Sequence, residues 1–362
     1  MRIGFDASKI MPPRDGIGTY VAELLRALVA AAPEHEFRLY GTLHPIRDEA
    51  VAAILPGPPA NVSLASQPAP ESGEVDLFHA TTWSCPPRFE GPLVFTCYDL
   101  TVLSHPQTHA LANKIHCLTG LLEARLAGAL FLTLSRHAAG ELERRLEVPP
   151  ARIRVTPPGV AQRFRPVPPA EGAAVVERLG LDRPYVLAVG TREPRKNLGR
   201  LLEAWQRLPR PLRDRHLLAL AGGRGWLHDD VERRLQQGTG IRLLGRVADA
   251  DLPALYSGAA AFVYPSLAEG FGFPVLEAMA CGAPVIASAV SSLPEVAGDA
   301  ALAVDPTDVA DVAGAIRRLL AEPDLARRLR DAGSERAAAF SWQRAAGATL
   351  AAYRAAAAEG ER

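Results

Sequence analysis

The chain has 362 residues, 40 basic and 40 acidic side chains and a net charge of zero. Its 48% hydrophobic and 22% charged residues are globular proportions, which exclude a largely disordered chain, and about 150 residues per domain gives two domains. Residues 1–180 carry 17 basic and 18 acidic groups and the rest 23 and 22, so neither half is a basic module and broad nucleic-acid binding is excluded.

In chain order, Arg2–Asp6 reads as a strand. Thr19–Ala31 has helical spacing, with Val21, Leu24, Leu25 and Leu28 on one face. Glu36–Tyr40 is a second strand, and residues 55–74, rich in Pro, Gly and Ser, form a loop with at most one strand. Val75–His79, Leu93–Thr96, Leu130–Leu134 and Arg152–Thr156 follow as short apolar strands, with helices at about 108–128 and 136–146 between them. Residues 157–184 are proline-rich, and 166–184 is taken as a linker between a first domain, 1–165, and a second, 185–340. There the alternation restarts, with strands at 185–189, 216–221, 241–244, 260–264, 284–287 and 301–303 and helices between them. A last helix, about 342–358, has Ser341 as a reasonable N-cap, and 341–362 forms its own segment. Such alternation implies α/β architecture with parallel sheets covered on both faces. Two doubly wound halves facing each other leave a cleft at the carboxyl ends of their strands, where ligands of such sheets bind.

Cys85, Cys97, Cys117 and Cys281 contain no CxxC pair, which suits a reducing compartment without a disulfide framework or zinc site. No leader pattern precedes the first strand and no apolar run reaches the ~18 residues of a membrane span. A cytoplasmic protein is expected.

The richest loop follows the 260–264 strand and runs Pro265-Ser266-Leu267-Ala268-Glu269-Gly270-Phe271-Gly272-Phe273-Pro274-Val275-Leu276-Glu277. Pro274 suits a helix start, the next amides point out of the first turn, and the glycines permit close backbone approach, which together make a phosphate site. Glu269, in the loop, and Glu277, in the first helical turn, bracket it; carboxylates accept hydrogen bonds from sugar hydroxyls. A Glu in a first turn also serves simply as a cap, and that reading stays open for Glu277. The second loop, Gly190-Thr191-Arg192-Glu193-Pro194-Arg195-Lys196-Asn197, follows a strand end. Lys196 is one of three lysines among 37 arginines, and Arg195 and Lys196 together suit a diphosphate clamp, the alternative being a solvated basic turn. The third loop, Asp15-Gly16-Ile17-Gly18-Thr19-Tyr20, has a GxG whose dinucleotide pattern is incomplete, and no acid follows the next strand, which disfavours a nicotinamide cofactor.

On these motifs the sequence resembles the retaining GT-B glycosyltransferases of family 4, the glycosyl transferases group 1 class. The likeness runs over most of the chain and is strongest from Tyr185 to Asp305. It implies two Rossmann-like domains facing across a cleft, with the last helix returning to the first. Glu269 and Glu277 fall on the family's E-x7-E motif, which implies that Glu277 holds the ribose and Glu269 the donor sugar's hydroxyls. The amides of Gly270, Phe271, Gly272 and Phe273, with Val275 and Leu276, would meet sugar and phosphate. Arg195 and Lys196 match the clamp, Gly16 and Gly18 the amino-terminal glycine loop, Gly190 the donor loop, and Arg246 and Val247 the stretch that receives the base. Many relatives read His-Asp-Leu where this chain has Tyr98-Asp99-Leu100, so the usual His is a Tyr; Asp99 is expected near the sugar, and Tyr98 and His109 on the acceptor side. Thr191 stands where many relatives carry Arg, with Arg192 next.

The resemblance implies transfer of a sugar, favouring mannose or a similar hexose, from a nucleotide diphosphate to an acceptor hydroxyl with retention, in bacterial polysaccharide, glycolipid or glycoconjugate synthesis. Glu269, Arg195, Lys196 and Asp99 would be the catalytic set, without metal or cofactor. The partners would be the nucleotide sugar and a saccharide or lipid-linked acceptor, with peripheral contact at the inner membrane face left open. A nucleotide-sugar epimerase and a catalytically degenerate sugar-nucleotide-binding subunit remain as alternatives. The stretch 101–128, with Leu111, Ile115, Leu118, Leu121 and Leu122, is expected mainly as core, the alternative being a surface that meets a lipid-linked acceptor. Charge is also sorted: residues 181–250 hold 14 basic and 8 acidic residues, whereas 251–300 hold five acids and no Lys or Arg.

Overall fold

The computed structural model describes residues 1–12, 14–57, 59–71, 73–86, 89–226 and 229–360. The chain divides into two compact units, Met1–Gly159 with Ser341–Arg362, and Val160–Phe340.

The first unit is built on β1 (Arg2–Asp6), β2 (Glu36–Tyr40), β3 (Val62–Leu64), β4 (Leu77–Ala80), β5 (Leu93–Cys97), β6 (Leu130–Thr133) and β7 (Ile153–Val155). Among the described residues these form one sheet in the order β3-β2-β1-β4-β5-β6-β7, every pairing parallel. β4, β5 and β6 are buried along their whole length, as expected for apolar strands covered on both faces. Phe78, Phe95 and Phe131 from adjacent strands form the centre of the core.

The second unit holds β8 (Tyr185–Val189), β9 (Leu217–Ala221), β10 (Ile241–Gly245), β11 (Ala261–Tyr264), β12 (Val285–Ser288) and β13 (Ala301–Val304). Their order is β10-β9-β8-β11-β12-β13, again all parallel. The order reverses between β8 and β11, so the loops leaving these two strands emerge side by side at the switch point, where such sheets bind ligands. Trp205, Leu202 and Ile316 from the covering helices pack on Leu218, Val263 and Ile286 of the sheet.

The helix Trp342–Gly360 packs against Gly16–Ala31 of the first unit. The Ser341 hydroxyl caps it by accepting from the Arg344 amide at 3.2 Å. Trp342 meets the Tyr20 ring edge-on at 5.7 Å, and His79 lies 2.6 Å from the Tyr353 hydroxyl and 2.7 Å from that of Thr96. Burial pushes the His79 pKa down to about 3, so the imidazole is neutral and joins the helix to β4 and β5 as a hydrogen-bonding group.

Four expectations are revised. The first helix begins at Gly16 because the Asp15 side chain caps it by accepting from the Gly18 amide at 2.8 Å; the GxG is its first turn rather than a loop. The stretch 166–184, read as linker, contains the helix Pro169–Arg178, which packs against Leu252–Ser257. Pro168 is its cap and Pro169 its first residue, positions where proline's fixed φ favours a helix. Glu277 lies in the second turn of the helix Phe273–Ala280, not its first, so it is no cap. Lastly, the helix Leu111–Leu126 exposes Leu111, Ile115 and Leu122, with Leu118 half-buried; Leu121 alone of the five leucines and isoleucines in the expected core set is buried.

Candidate functional site

The loop after β8 folds back on the loop after β11. Asn197, in the left-handed conformation, donates its side-chain amide to the carbonyls of Pro265 (3.0 Å) and Pro306 (2.7 Å), and the Leu267 amide donates to the Arg195 carbonyl at 2.9 Å. Three strand ends are thus joined by hydrogen bonds that leave little freedom to either loop.

Glu269 stands at the centre of this junction, 8% exposed. The Lys196 ammonium donates to its Oε1 at 2.7 Å and the Arg195 guanidinium to its Oε2 at 2.6 Å. Arg195 also donates to the Ala268 carbonyl (2.7 Å) and to Glu193 (2.6 Å), and Lys196 to the Tyr264 hydroxyl (2.6 Å). Burial by itself would raise the Glu269 carboxyl, but Arg195 and Lys196 outweigh it and hold the pKa at about 2. Burial pulls the Lys196 ammonium below its usual value, with Glu269 opposing. Burial and Glu269 push Tyr264 well up, so the phenol is neutral. Glu193, Arg195, Lys196 and Glu269 together carry no net charge, so the clamp is already matched by carboxylates. Arg192 pairs with Glu232 at 3.0 Å and also lines a pocket beside this cluster.

That pocket is lined by Gly190, Arg192, Lys196, Gly222 and Tyr264 among others. Glu277 is half-buried. It accepts from the Tyr256 hydroxyl at 2.9 Å; burial raises its pKa to about 7, against the opposing pull of Tyr256 and Arg163. Gly272, ahead of the helix Phe273–Ala280, adopts φ +116°, and a Cβ there would lie 2.6 Å from Leu293 Cδ2. The Ser292 hydroxyl holds the loop by donating to the carbonyls of Glu269 (2.9 Å) and Phe271 (2.8 Å). Gly270, Phe271, Gly272 and Phe273 form the turn into this helix, with the Phe271 ring packed on Phe273 and Phe340. The Val275 and Leu276 amides differ from expectation: both donate to the Gly272 carbonyl, at 3.0 and 3.3 Å, as the helix's own first bonds. Arg246, exposed, and Val247, buried, follow β10.

The remaining expected residues lie in the first unit. Gly16 faces open space, whereas a Cβ on Gly18 would come within 2.5 Å of the Lys9 carbonyl, a close approach that alone accounts for that glycine. Tyr98 is buried and donates to the Thr81 carbonyl at 2.7 Å, its ring edge-on to Tyr20, so its hydroxyl is committed to the fold. Asp99 accepts from both the amide (2.8 Å) and hydroxyl (2.6 Å) of Thr101, and His109 Nε2 lies 3.0 Å from that same hydroxyl. Asp99 and His109 are thus linked through Thr101, while Tyr98 faces Thr81. Tyr264 and Tyr256 were missed from the sequence. Tyr264 ends the strand that leads into the Glu269 loop, and that position was its one available signal.

Residues 174–336 match the family description "Glycosyl transferases group 1" and residues 14–163 match "Glycosyltransferase Family 4". The chain is 34% identical to O-antigen chain mannosyltransferase B of Escherichia coli, over 98% of this chain and 100% of that protein. Among solved structures, sucrose-phosphate synthase of Thermosynechococcus elongatus superposes with a TM-score of 0.72 at 24% identity, covering 98% of each chain. HepE of Anabaena, in complex with UDP and glucose, superposes with a TM-score of 0.73 at 17% identity, over 98% of this chain and 100% of that one. The α/β fold, with two Rossmann-like sheets of the GT-B type and a carboxyl-terminal helix, is the one the sequence led us to expect. The chain belongs to the group 1, family 4 glycosyltransferases and is a glycosyltransferase.

Proposed function

We propose that the protein transfers a hexose, mannose by preference, from a nucleoside diphosphate to an acceptor hydroxyl with retention and without a metal ion. The observation that carries the reading is the Lys196–Glu269–Arg195 cluster beside the pocket at the switch point of the second unit. Each Glu269 oxygen receives one cation and keeps lone-pair capacity for a sugar hydroxyl. Lys196 faces the position of a diphosphate and stabilises negative charge as the anomeric C–O bond breaks. The acceptor oxygen then bonds to the anomeric carbon from the same face, and its proton passes to the departing phosphate oxygen. Glu277 accepts the ribose hydroxyls. Asp99 and His109 are assigned to the acceptor. The mannose preference is supported by the O-antigen mannosyltransferase relative, whose setting favours bacterial polysaccharide assembly and a saccharide or lipid-linked acceptor. No helix among the described residues is long and apolar enough to cross a membrane; peripheral contact with the inner membrane face is part of the proposal only through such an acceptor.

The test is a panel of GDP- and UDP-sugars with and without oligosaccharide acceptors, product configuration being read by NMR. Transfer with retention, undiminished by EDTA, is expected. Epimerised donor without acceptor would favour an epimerase. Donor binding with no transfer across the panel would favour a binding subunit.

A further inference from the structure

We infer that Tyr264 is a positioning residue for the donor phosphates: its phenol oxygen and Glu269 together aim the Lys196 ammonium at the diphosphate. The inference rests on the donor-site reading above and adds to it a residue that neither the motifs nor the comparisons assign.

An ammonium has three N–H donors and no acceptor. Among the described residues, one is given to Glu269 Oε1 at 2.7 Å and one to the Tyr264 hydroxyl at 2.6 Å, leaving the third for a ligand oxyanion. Both Lys196 and Tyr264 line the pocket. The lysine stem is held as well: a Cβ on Gly190 would lie 3.3 Å from Lys196 Cε, so the chain runs closely past that glycine. A flexible four-carbon side chain is otherwise costly to order, and fixing it at two points before the ligand arrives reduces the cost of binding. Tyr264 is itself fixed. It is 3% exposed, stacks on Phe262 at 5.9 Å with an interplanar angle of 20°, and sits at the end of a central strand. Arg195, by contrast, is tied to the Ala268 carbonyl and to two carboxylates, contacts that brace the loop. Arg192 also lines the pocket but is paired with Glu232 at 3.0 Å, so Lys196 is the cation held ready for phosphate.

The test compares GDP, UDP and the corresponding nucleosides by calorimetry on the full chain. Wild type must first bind one of the diphosphates; if it binds neither, the donor-site reading fails and not the inference alone. Given that binding, Tyr264→Phe keeps the ring, and the loss of one hydrogen bond predicts diphosphate affinity weaker by about fivefold, with nucleoside affinity unchanged. In a Lys196→Met background the same substitution should add nothing. Unaltered diphosphate affinity, an equal loss for the nucleoside, or an additive loss in the Lys196→Met background would each overturn the inference.

Discussion

Replacing Glu269 by Gln removes one charge from a buried, neutral set. Arg195 keeps Glu193 at 2.6 Å, but Lys196 keeps only neutral acceptors, the Gln carbonyl and the Tyr264 phenol, so one enclosed ammonium loses its nearest counter-charge. Breaking a buried pair costs about 3–5 kcal/mol. The fall of the Glu269 carboxyl from 4.5 to about 2 gives a second measure, ~3 kcal/mol at about 1.4 kcal/mol per unit. The two agree at the lower figure. For a domain of this size that is a fall in Tm of roughly 6–12 °C. The carboxyl is depressed in the folded state, so its contribution is fully present above pH 4.5 and is lost as pH falls toward 2. Differential scanning calorimetry at neutral pH and at successively lower pH should show the gap between variant and wild type closing with acid. Saturating GDP or UDP should also raise the variant's Tm more than the wild type's, because phosphate supplies the missing negative charge. A gap below about 2 °C at neutral pH, under 1 kcal/mol on that scale, or one that does not narrow in acid, would refute the reasoning.

Substitution at Gly272 is strained by its positive φ and by Leu293, so Gly272→Ala should cost about 1–3 kcal/mol in urea unfolding and depress transfer together with it. Glu277 titrates at about 7 because desolvation disfavours its charged form, and its carboxylate form is the better acceptor for hydroxyls; nucleoside diphosphate affinity should rise with pH through that value, by at most about tenfold, and the rise should vanish in Glu277→Gln. A slope that survives in Glu277→Gln would assign the titration to another group. Tyr98→Phe leaves the Thr81 carbonyl without its donor and should destabilise by about 1–3 kcal/mol in urea titration. GDP or UDP affinity should be unchanged in that variant; weakened nucleotide binding would give Tyr98 a donor-site role in place of the acceptor-side one expected from the sequence.

The clustered residues of the second unit could be picked out from the sequence because each follows a strand. Glu269 lies five positions after β11 ends, and Lys196 seven after β8, and glycine and proline mark both loops. What the sequence did not show was their pairing. Lys196 and Glu269 are 73 positions apart, and only the strand order, which places β8 beside β11, brings them within 2.7 Å. A cationic pair that looked available for diphosphate is instead matched by Glu193 and Glu269. Tyr98 shows what a family position leaves out: the phenol donates a hydrogen bond to the Thr81 carbonyl and packs on Tyr20, contacts that no motif could report. The linker helix was missed because Pro168 and Pro169 were counted as breakers, although they stand at the one end of a helix that tolerates them. The choice between core and surface for Leu111–Leu126 could not be made from the sequence, because helical periodicity reports a stripe of apolar residues and not what lies against it.

The burial of Lys196 has a practical consequence for handling the protein. Only Lys9, Lys114 and Lys196 carry side-chain amines, and the first two belong to the first unit. The Lys9 side chain is 38% exposed against 13% for Lys196, which sits between a carboxylate and a phenol, so amine-directed reagents such as activated esters should react at Lys9 ahead of Lys196. Coupling under limiting reagent therefore favours attachment through the first unit, and a nucleotide in the pocket should shield Lys196 further.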